Sequence, residues 1–214
     1  MSAERETDSP VSASGHPASD AELAARAKAL ASLLVEKGIV STDAIDEVAA
    51  AYETDIGPML GAKVVAKAWS DAAFRERLLQ NASAACEEMG IGGMQGEHMV
   101  TVENSADVHN TVVCTLCSCY PWPVLGLPPN WYKYPQYRSQ AVREPRKLLN
   151  EEFGLHISES VDVRVWDSSA EIRYLVLPQR PEGTEGMSEE ELASLVTRDS
   201  MIGVGEPLTP GEAR

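Results

Sequence analysis

Three of the chain's four cysteines fall inside one six-residue stretch, Cys114-Thr115-Leu116-Cys117-Ser118-Cys119, directly after the β-branched run Val108 to Val113. That placement constrains the fold more than any other feature. Three thiols on a tight loop after a strand can converge on one ion, so the chain must build a strand that ends at this point and a scaffold that holds the loop. Soft sulfur ligands select transition metals over magnesium or calcium. A closing Cys-Ser-Cys is unusual for zinc, whose knuckle cysteines stand two to four residues apart so that both sulfurs reach a tetrahedral ion.

The spacing suits another geometry. If the Cys117 sulfur, the Ser118 and Cys119 amide nitrogens and the Cys119 sulfur all bind, the backbone closes fused five- and six-membered chelate rings in one plane. Cys114 then reaches the ion from below and one face stays open, which separates a catalytic metal from a structural one. Deprotonating a backbone amide demands a strongly Lewis-acidic, trivalent ion. Low-spin Co(III) is expected, or Fe(III), rather than Zn(II). Two alternatives stand beside this: a structural zinc site completed by Cys86, His98 or His109, and a reversible thiol site of the C-x-x-C kind. Cys86, on an expected helix, reads as a small buried apolar side chain.

Around the loop the pattern is α+β: an N-terminal helical arm, then a layered α/β domain with the metal loop after a strand. Residues 1–20, polar and rich in Ser, Ala and Pro, read as a disordered lead-in. Residues 21–91 form the helical arm, and residues 92–214 the α/β metal-binding catalytic domain. Ser19 with Glu22 predicts a capping box ahead of Leu23, Leu30, Leu33 and Leu34, with Gly38 as the stop. Further helices are expected from Thr42 to Asp55, from Gly57-Pro58 to Trp69, and from Ser70-Asp71 onward through Phe74, Leu78 and Leu79. Strands are expected at His98 to Glu103 and Val108 to Val113. Pro121, Pro123, Pro128 and Pro129 predict a rigid, non-helical loop. One helix from Gln136 to Phe153, strands at Val161 to Trp166 and Glu171 to Leu177, and a helix capped by Ser188 and Glu191 complete the expectation. There is no internal repeat.

Lys plus Arg number 18 against 33 Asp plus Glu, a formal charge of −15. Such a chain repels phosphate backbones and anionic membranes, so nucleic acid and membrane partners are excluded. The chain start lacks a signal's basic and apolar segments, and no apolar run is long enough to span a bilayer. A soluble cytoplasmic protein is the expectation.

The cysteine motif resembles the metal claw of the nitrile hydratase α-subunit family. Lys63-Val64-Val65-Ala66-Lys67-Ala68-Trp69, Gly92-Gly93-Met94-Gln95-Gly96-Glu97, Trp122-Pro123-Val124-Leu125-Gly126-Leu127-Pro128-Pro129, Val142-Arg143-Glu144-Pro145-Arg146 and Val165-Trp166-Asp167-Ser168-Ser169 are similar to the family as well. The likeness covers roughly Ala21 to Val204. It implies hydration of a nitrile to an amide. Thr115 and Tyr120 resemble the cobalt enzymes, so one Co(III) per chain is implied. It also implies Cys117 as a sulfinic acid, Cys119 as a sulfenic acid and Cys114 as a thiolate, steps on the ordinary ladder of thiol oxidation. Two arginines of a β subunit are implied as donors to those oxygens, in an αβ or α2β2 assembly, with an activator protein that delivers cobalt.

The nitrile nitrogen would meet the open face and an oxygen nucleophile would attack carbon; the Cys119 sulfenate, hydroxide on the ion and a nearby water all stay open. By resemblance Gln95 orients water or substrate, and Trp122 lines the pocket. Asp167 and Arg173 are strand-end charges that either hold the loop or a subunit contact, or form a surface pair. Trp131, Tyr132, Tyr134 and Tyr137 suit a protein interface or the core. The rival readings are the metal-bearing subunit of a thiocyanate hydrolase and a non-catalytic, zinc-stabilised interaction module.

Overall fold

The computed structural model describes residues 20–54, 56–93, 96 and 98–212. The lead-in through Ser19, and with it the first capping box, lies outside the described residues, as does Gln95. The chain opens with five helices: α1 (Asp20–Glu36), α2 (Thr42–Thr54), α3 (Pro58–Ser70), α4 (Ala72–Gln80) and α5 (Ala82–Glu88). Where one helix was expected after Ser70-Asp71, two form. The Asp71 side chain accepts from the Phe74 N–H to start α4. The Asn81 side chain then accepts from the Ala84 N–H to start α5. A residue in extended conformation whose side chain satisfies a free N–H is an N-cap, and Asn is among the strongest.

Strands β1 (Met99–Glu103) and β2 (Val108–Val113) follow, and β3 (Asp162–Asp167) and β4 (Arg173–Leu177) come much later. They pair as two parallel ribbons, β1 with β4 and β2 with β3. In the second ribbon Val113 lies opposite Asp167. The end of β2, where the cysteines begin, therefore sits beside the end of β3. Parallel pairing requires a long crossover, and the stretch from Cys114 to Val161 supplies it.

That crossover corrects two expectations. The proline segment is not wholly non-helical: α6 (Trp122–Leu125) and a 3-10 turn, Asn130–Lys133, lie within and after it. Proline lacks an N–H but fits a first turn, where none is needed, and Pro123 sits there. The expected helix from Gln136 to Phe153 is broken into α7 (Pro135–Arg143) and α8 (Pro145–Phe153). Pro145 pushes Glu144 out of helical geometry, and Glu144 takes φ −142° and ψ 59°.

One core joins the helices to the strands. Val64, Val65, Phe74 and Leu78 from α3 and α4 share it with Val112, Val113, Leu175 and Val176. Leu30, Leu33, Ile39 and Val48, on or beside α1 and α2, are exposed instead. Tyr132 and Tyr137 are buried in that core, where Trp131 meets Tyr137 and Phe153 edge to face at 4.9 Å. Tyr132 and Tyr137 are thus core packing, and Trp131 and Tyr134 lie half-buried against that core.

A buried polar network links the two ribbons. Asn110 Nδ2 donates to the Glu103 carbonyl at 2.7 Å, and Trp166 Nε1 donates to Asn110 Oδ1 at 2.8 Å. His109 Nε2 donates to the Gly203 carbonyl at 2.9 Å, leaving Nδ1 to accept from Asn104. At the chain's end come α9 (Glu189–Leu195), which packs on α3, and α10 (Arg198–Ile202), a helix absent from the expectation. The capping box at Ser188 and Glu191 is present in full. Ser188→Ala is expected to lower stability by about 1 kcal/mol, read as a fall in the thermal midpoint. No helix among the described residues is long and apolar enough to cross a membrane.

Candidate metal centre

Chain geometry brings the three thiols together before any ion is considered. Val113 ends β2 fully buried, and Cys114 continues inward with no exposure. The backbone then reverses. The Cys117 N–H donates to Cys114 Sγ at 3.2 Å, while Cys117 Sγ lies 3.5 Å from Cys114 Sγ and 3.2 Å from Cys119 Sγ. All three sulfurs fall within 4.8 Å of one another.

The scaffold holds this loop at several points. Thr115 donates twice to Asp167, from its N–H to Oδ1 at 2.9 Å and from its hydroxyl to Oδ2 at 2.6 Å. The β2–β3 register explains that contact, because it sets Asp167 beside Val113. On the buried side the Tyr132 hydroxyl donates to the Cys119 carbonyl at 3.1 Å. Arg138, on α7, donates to the Leu116 carbonyl at 3.4 Å. Neither Tyr132 as a support nor Arg138 was singled out from sequence. Their contacts span 13 and 22 residues, and no local pattern announces such a pairing.

Electrostatics separates the thiols. The hydrogen bond from Cys119, with help from Cys114 and the Ser118 and Cys119 amides, holds the Cys117 thiol below its ordinary value. Burial pushes Cys119 up, and the adjoining sulfurs add to it. Cys117 is exposed, whereas Cys114 and Cys119 are buried. Cys86, buried in α5, is driven up to about 12 by its apolar surroundings, the signature of an inert core thiol. Neither it nor His98 nor His109 joins the sulfur group, and no fourth His, Cys, Asp or Glu among the described residues does so. A closed four-ligand zinc set is therefore not assembled there.

Donor chemistry fits a soft or borderline transition metal: three sulfurs within 4.8 Å of one another. A sequence profile described as nitrile hydratase, alpha chain, matches residues 21–205. The chain belongs to the nitrile hydratase α-chain family. A low-molecular weight cobalt-containing nitrile hydratase subunit alpha from Rhodococcus rhodochrous is 64% identical over 197 residues, 92% of this chain and 95% of that protein. The thiocyanate hydrolase subunit gamma of Thiobacillus thioparus is 39% identical, over 84% of this chain and 77% of that one. Among solved structures, a double mutant of the Fe-type nitrile hydratase from Comamonas testosteroni Ni1 superposes with a TM-score of 0.81 at 42% identity. That match covers 90% of this chain and 94% of that one. The mixed fold with a cysteine loop after a strand is thus the fold of this nitrile hydratase family.

Of the other residues named from sequence, Trp122 opens α6 three positions after Cys119, half-buried and packed against the core. Arg173 is buried at the start of β4, where Nη1 donates to the Ala170 carbonyl at 2.7 Å across the turn from β3. Asp167 bonds to the loop through Thr115. Removing an outer support of a metal ligand loop typically costs about 10- to 100-fold in affinity or activity. Asp167→Ala is expected to weaken cobalt retention by about 10-fold, measured by competition against a chelator. Asp167→Asn, which keeps one acceptor oxygen, should lose less.

Proposed function

We propose that this chain is the metal-bearing α subunit of a cobalt nitrile hydratase, converting a nitrile and water to the corresponding amide in the cytoplasm. The observation that carries the reading is the three-sulfur loop at the end of β2, all sulfurs within 4.8 Å and one of them exposed, in a chain 64% identical to a cobalt-containing relative. Cys114, Cys117 and Cys119 would hold the ion through sulfur, and Ser118 and Cys119 through their amide nitrogens. Bound Co(III) supplies the Lewis acidity that polarises the C≡N bond.

The resemblance to the family implies Cys117 as a sulfinic acid, Cys119 as a sulfenic acid and Cys114 as a thiolate. Each oxidation step needs an external two-electron oxidant, dioxygen or a peroxide, that supplies the oxygen; exposed Cys117 and buried Cys114 are in keeping with that pattern. The attacking oxygen would come from the Cys119 sulfenate, from hydroxide or from a nearby water. Trp122 forms part of the pocket wall. Gln95 orients the substrate or water, Asp167 fixes the loop through Thr115, and Arg173 braces the strand turn behind it. A β subunit completes the site in an αβ or α2β2 assembly, with its arginines on the oxidised sulfurs, and an activator protein delivers cobalt.

The test is made on the complex co-expressed with its β subunit. Metal analysis should find one cobalt per chain, and an aliphatic nitrile should be hydrated while thiocyanate is not. Turnover of thiocyanate alone would move the chain to the thiocyanate hydrolase branch, and zinc with unmodified cysteines would sink the reading. A single turnover in labelled water tests the sulfenate: unlabelled oxygen in the first amide identifies it as the nucleophile, and labelled oxygen alone removes it, leaving hydroxide or water.

A further inference from the structure

The tip of the metal loop has almost no packing of its own. Leu116 stands there with 87% of its surface exposed, so nothing apolar fixes the peptide joining it to Cys117. Polar contacts hold that peptide from both sides. Its N–H, on Cys117, donates to Cys114 Sγ at 3.2 Å, and its carbonyl, on Leu116, accepts from Arg138 Nη1 at 3.4 Å. Arg138 is anchored for this contact: Nη2 donates to the Lys133 carbonyl at 2.6 Å, just before α7 begins. Its Nε is buried and has no acceptor among the described residues. Leaving a buried donor unsatisfied carries a desolvation cost. The guanidinium is kept here by the Lys133 and Leu116 carbonyls despite that cost.

We propose that Arg138 is a positioning residue that tunes the metal loop through the Leu116–Cys117 peptide. A cation on a carbonyl oxygen draws density from the peptide nitrogen, and hydrogen bonds in a chain strengthen one another in this way. The Cys117 N–H becomes the better donor to Cys114 Sγ. A sulfur that accepts a stronger hydrogen bond donates less charge to an ion it binds; this is a general lever of the protein around metal–sulfur centres. An ion held by Cys114, Cys117 and Cys119 would then be the stronger Lewis acid, the property the hydration of a nitrile requires. Lys133 and Leu116 are both served by one planar fork, which a lysine cannot reproduce. This inference rests on the metal-centre reading above.

The experiment compares wild type, Arg138→Met and Arg138→Lys in the complex with the β subunit. Three quantities are read: the sulfur-to-cobalt charge-transfer absorption of the loaded complex, hydrogen exchange at the Cys117 amide of the metal-free complex, and kcat and KM. For Arg138→Met the absorption should move to longer wavelength, the Cys117 amide should exchange faster, and kcat should fall by about 10-fold with KM nearly unchanged. Arg138→Lys should change each in the same direction, by less. Wild-type absorption in the variants overturns the proposal, even if activity drops or the Cys117 amide exchanges faster, because a merely loosened loop speeds exchange by local opening. Should Arg138→Met fail to assemble, Arg138→Lys decides by the same readings. A wild-type complex without cobalt or nitrile hydration would instead overturn the functional assignment, and that outcome needs no variant.

Discussion

Cys117→Ala is expected to yield a folded chain that retains no cobalt and hydrates no nitrile. The two halves of that expectation come from different observations. Cys117 is exposed, and substitutions at exposed positions ordinarily shift stability by no more than about 0.5 kcal/mol. Its sulfur nevertheless sits between the other two, 3.5 Å from Cys114 Sγ and 3.2 Å from Cys119 Sγ, so its loss removes the centre of the ligand set. Outer supports of a metal site are worth about 10- to 100-fold, and loss of a ligand should exceed the upper figure. Metal analysis, amide formation and a thermal melt on the same preparation would check it. A cobalt-loaded, fully active Cys117→Ala complex would contradict the assignment. The equivalent change at Cys114, which is completely buried, would confuse metal loss with core damage.

Gly203→Ala should be among the most destabilising single-methyl additions in the chain. Gly203 follows α10 at φ +84°, and a Cβ there would fall 1.9 Å from the Asn110 carbonyl oxygen and 2.8 Å from Thr111 Cα. The left-handed backbone costs an L-residue about 1–2 kcal/mol, and overpacking a core adds about 1–3 kcal/mol. Together these give roughly 2–5 kcal/mol, or a fall of roughly 4–20 °C in the midpoint for a domain of this size. The obstacle is backbone, so no side chain can swing aside. Asn110 and Thr111 belong to β2, three to four residues before Cys114, so the displacement would reach the metal loop as well. An unchanged midpoint would show that Gly203 does not lie against β2 as described.

The metal loop was legible in the sequence because covalent spacing alone keeps three thiols near one another; Cys114, Cys117 and Cys119 needed no tertiary information. The strands were legible for a similar reason, since β-branched residues over five or six positions leave little alternative. Local breaks were harder to see. Asn81 interrupts a helical pattern only because its side chain caps the next helix better than its backbone continues the last. Glu144 leaves the helix because of its neighbour Pro145. The supports of the loop were the least legible. Asp167 could be placed at a strand end, but its double bond to Thr115 depends on the β2–β3 register, which a sequence of alternating apolar residues does not specify by itself. Tyr132 could be core or interface on composition, and burial settles that it is core.

The three described side chains that bond to the loop are all encoded downstream of it. Tyr132 lies 13 residues beyond Cys119, Arg138 lies 22 beyond Leu116, and Asp167 lies 52 beyond Thr115. During vectorial synthesis the thiols therefore leave the ribosome as an unordered triplet, and they gain their final shape only after β3 has emerged to pair with β2. An ion captured before that moment would meet a slack chelator with none of the finished site's geometric discrimination, so faithful loading belongs after the nascent chain has passed Asp167.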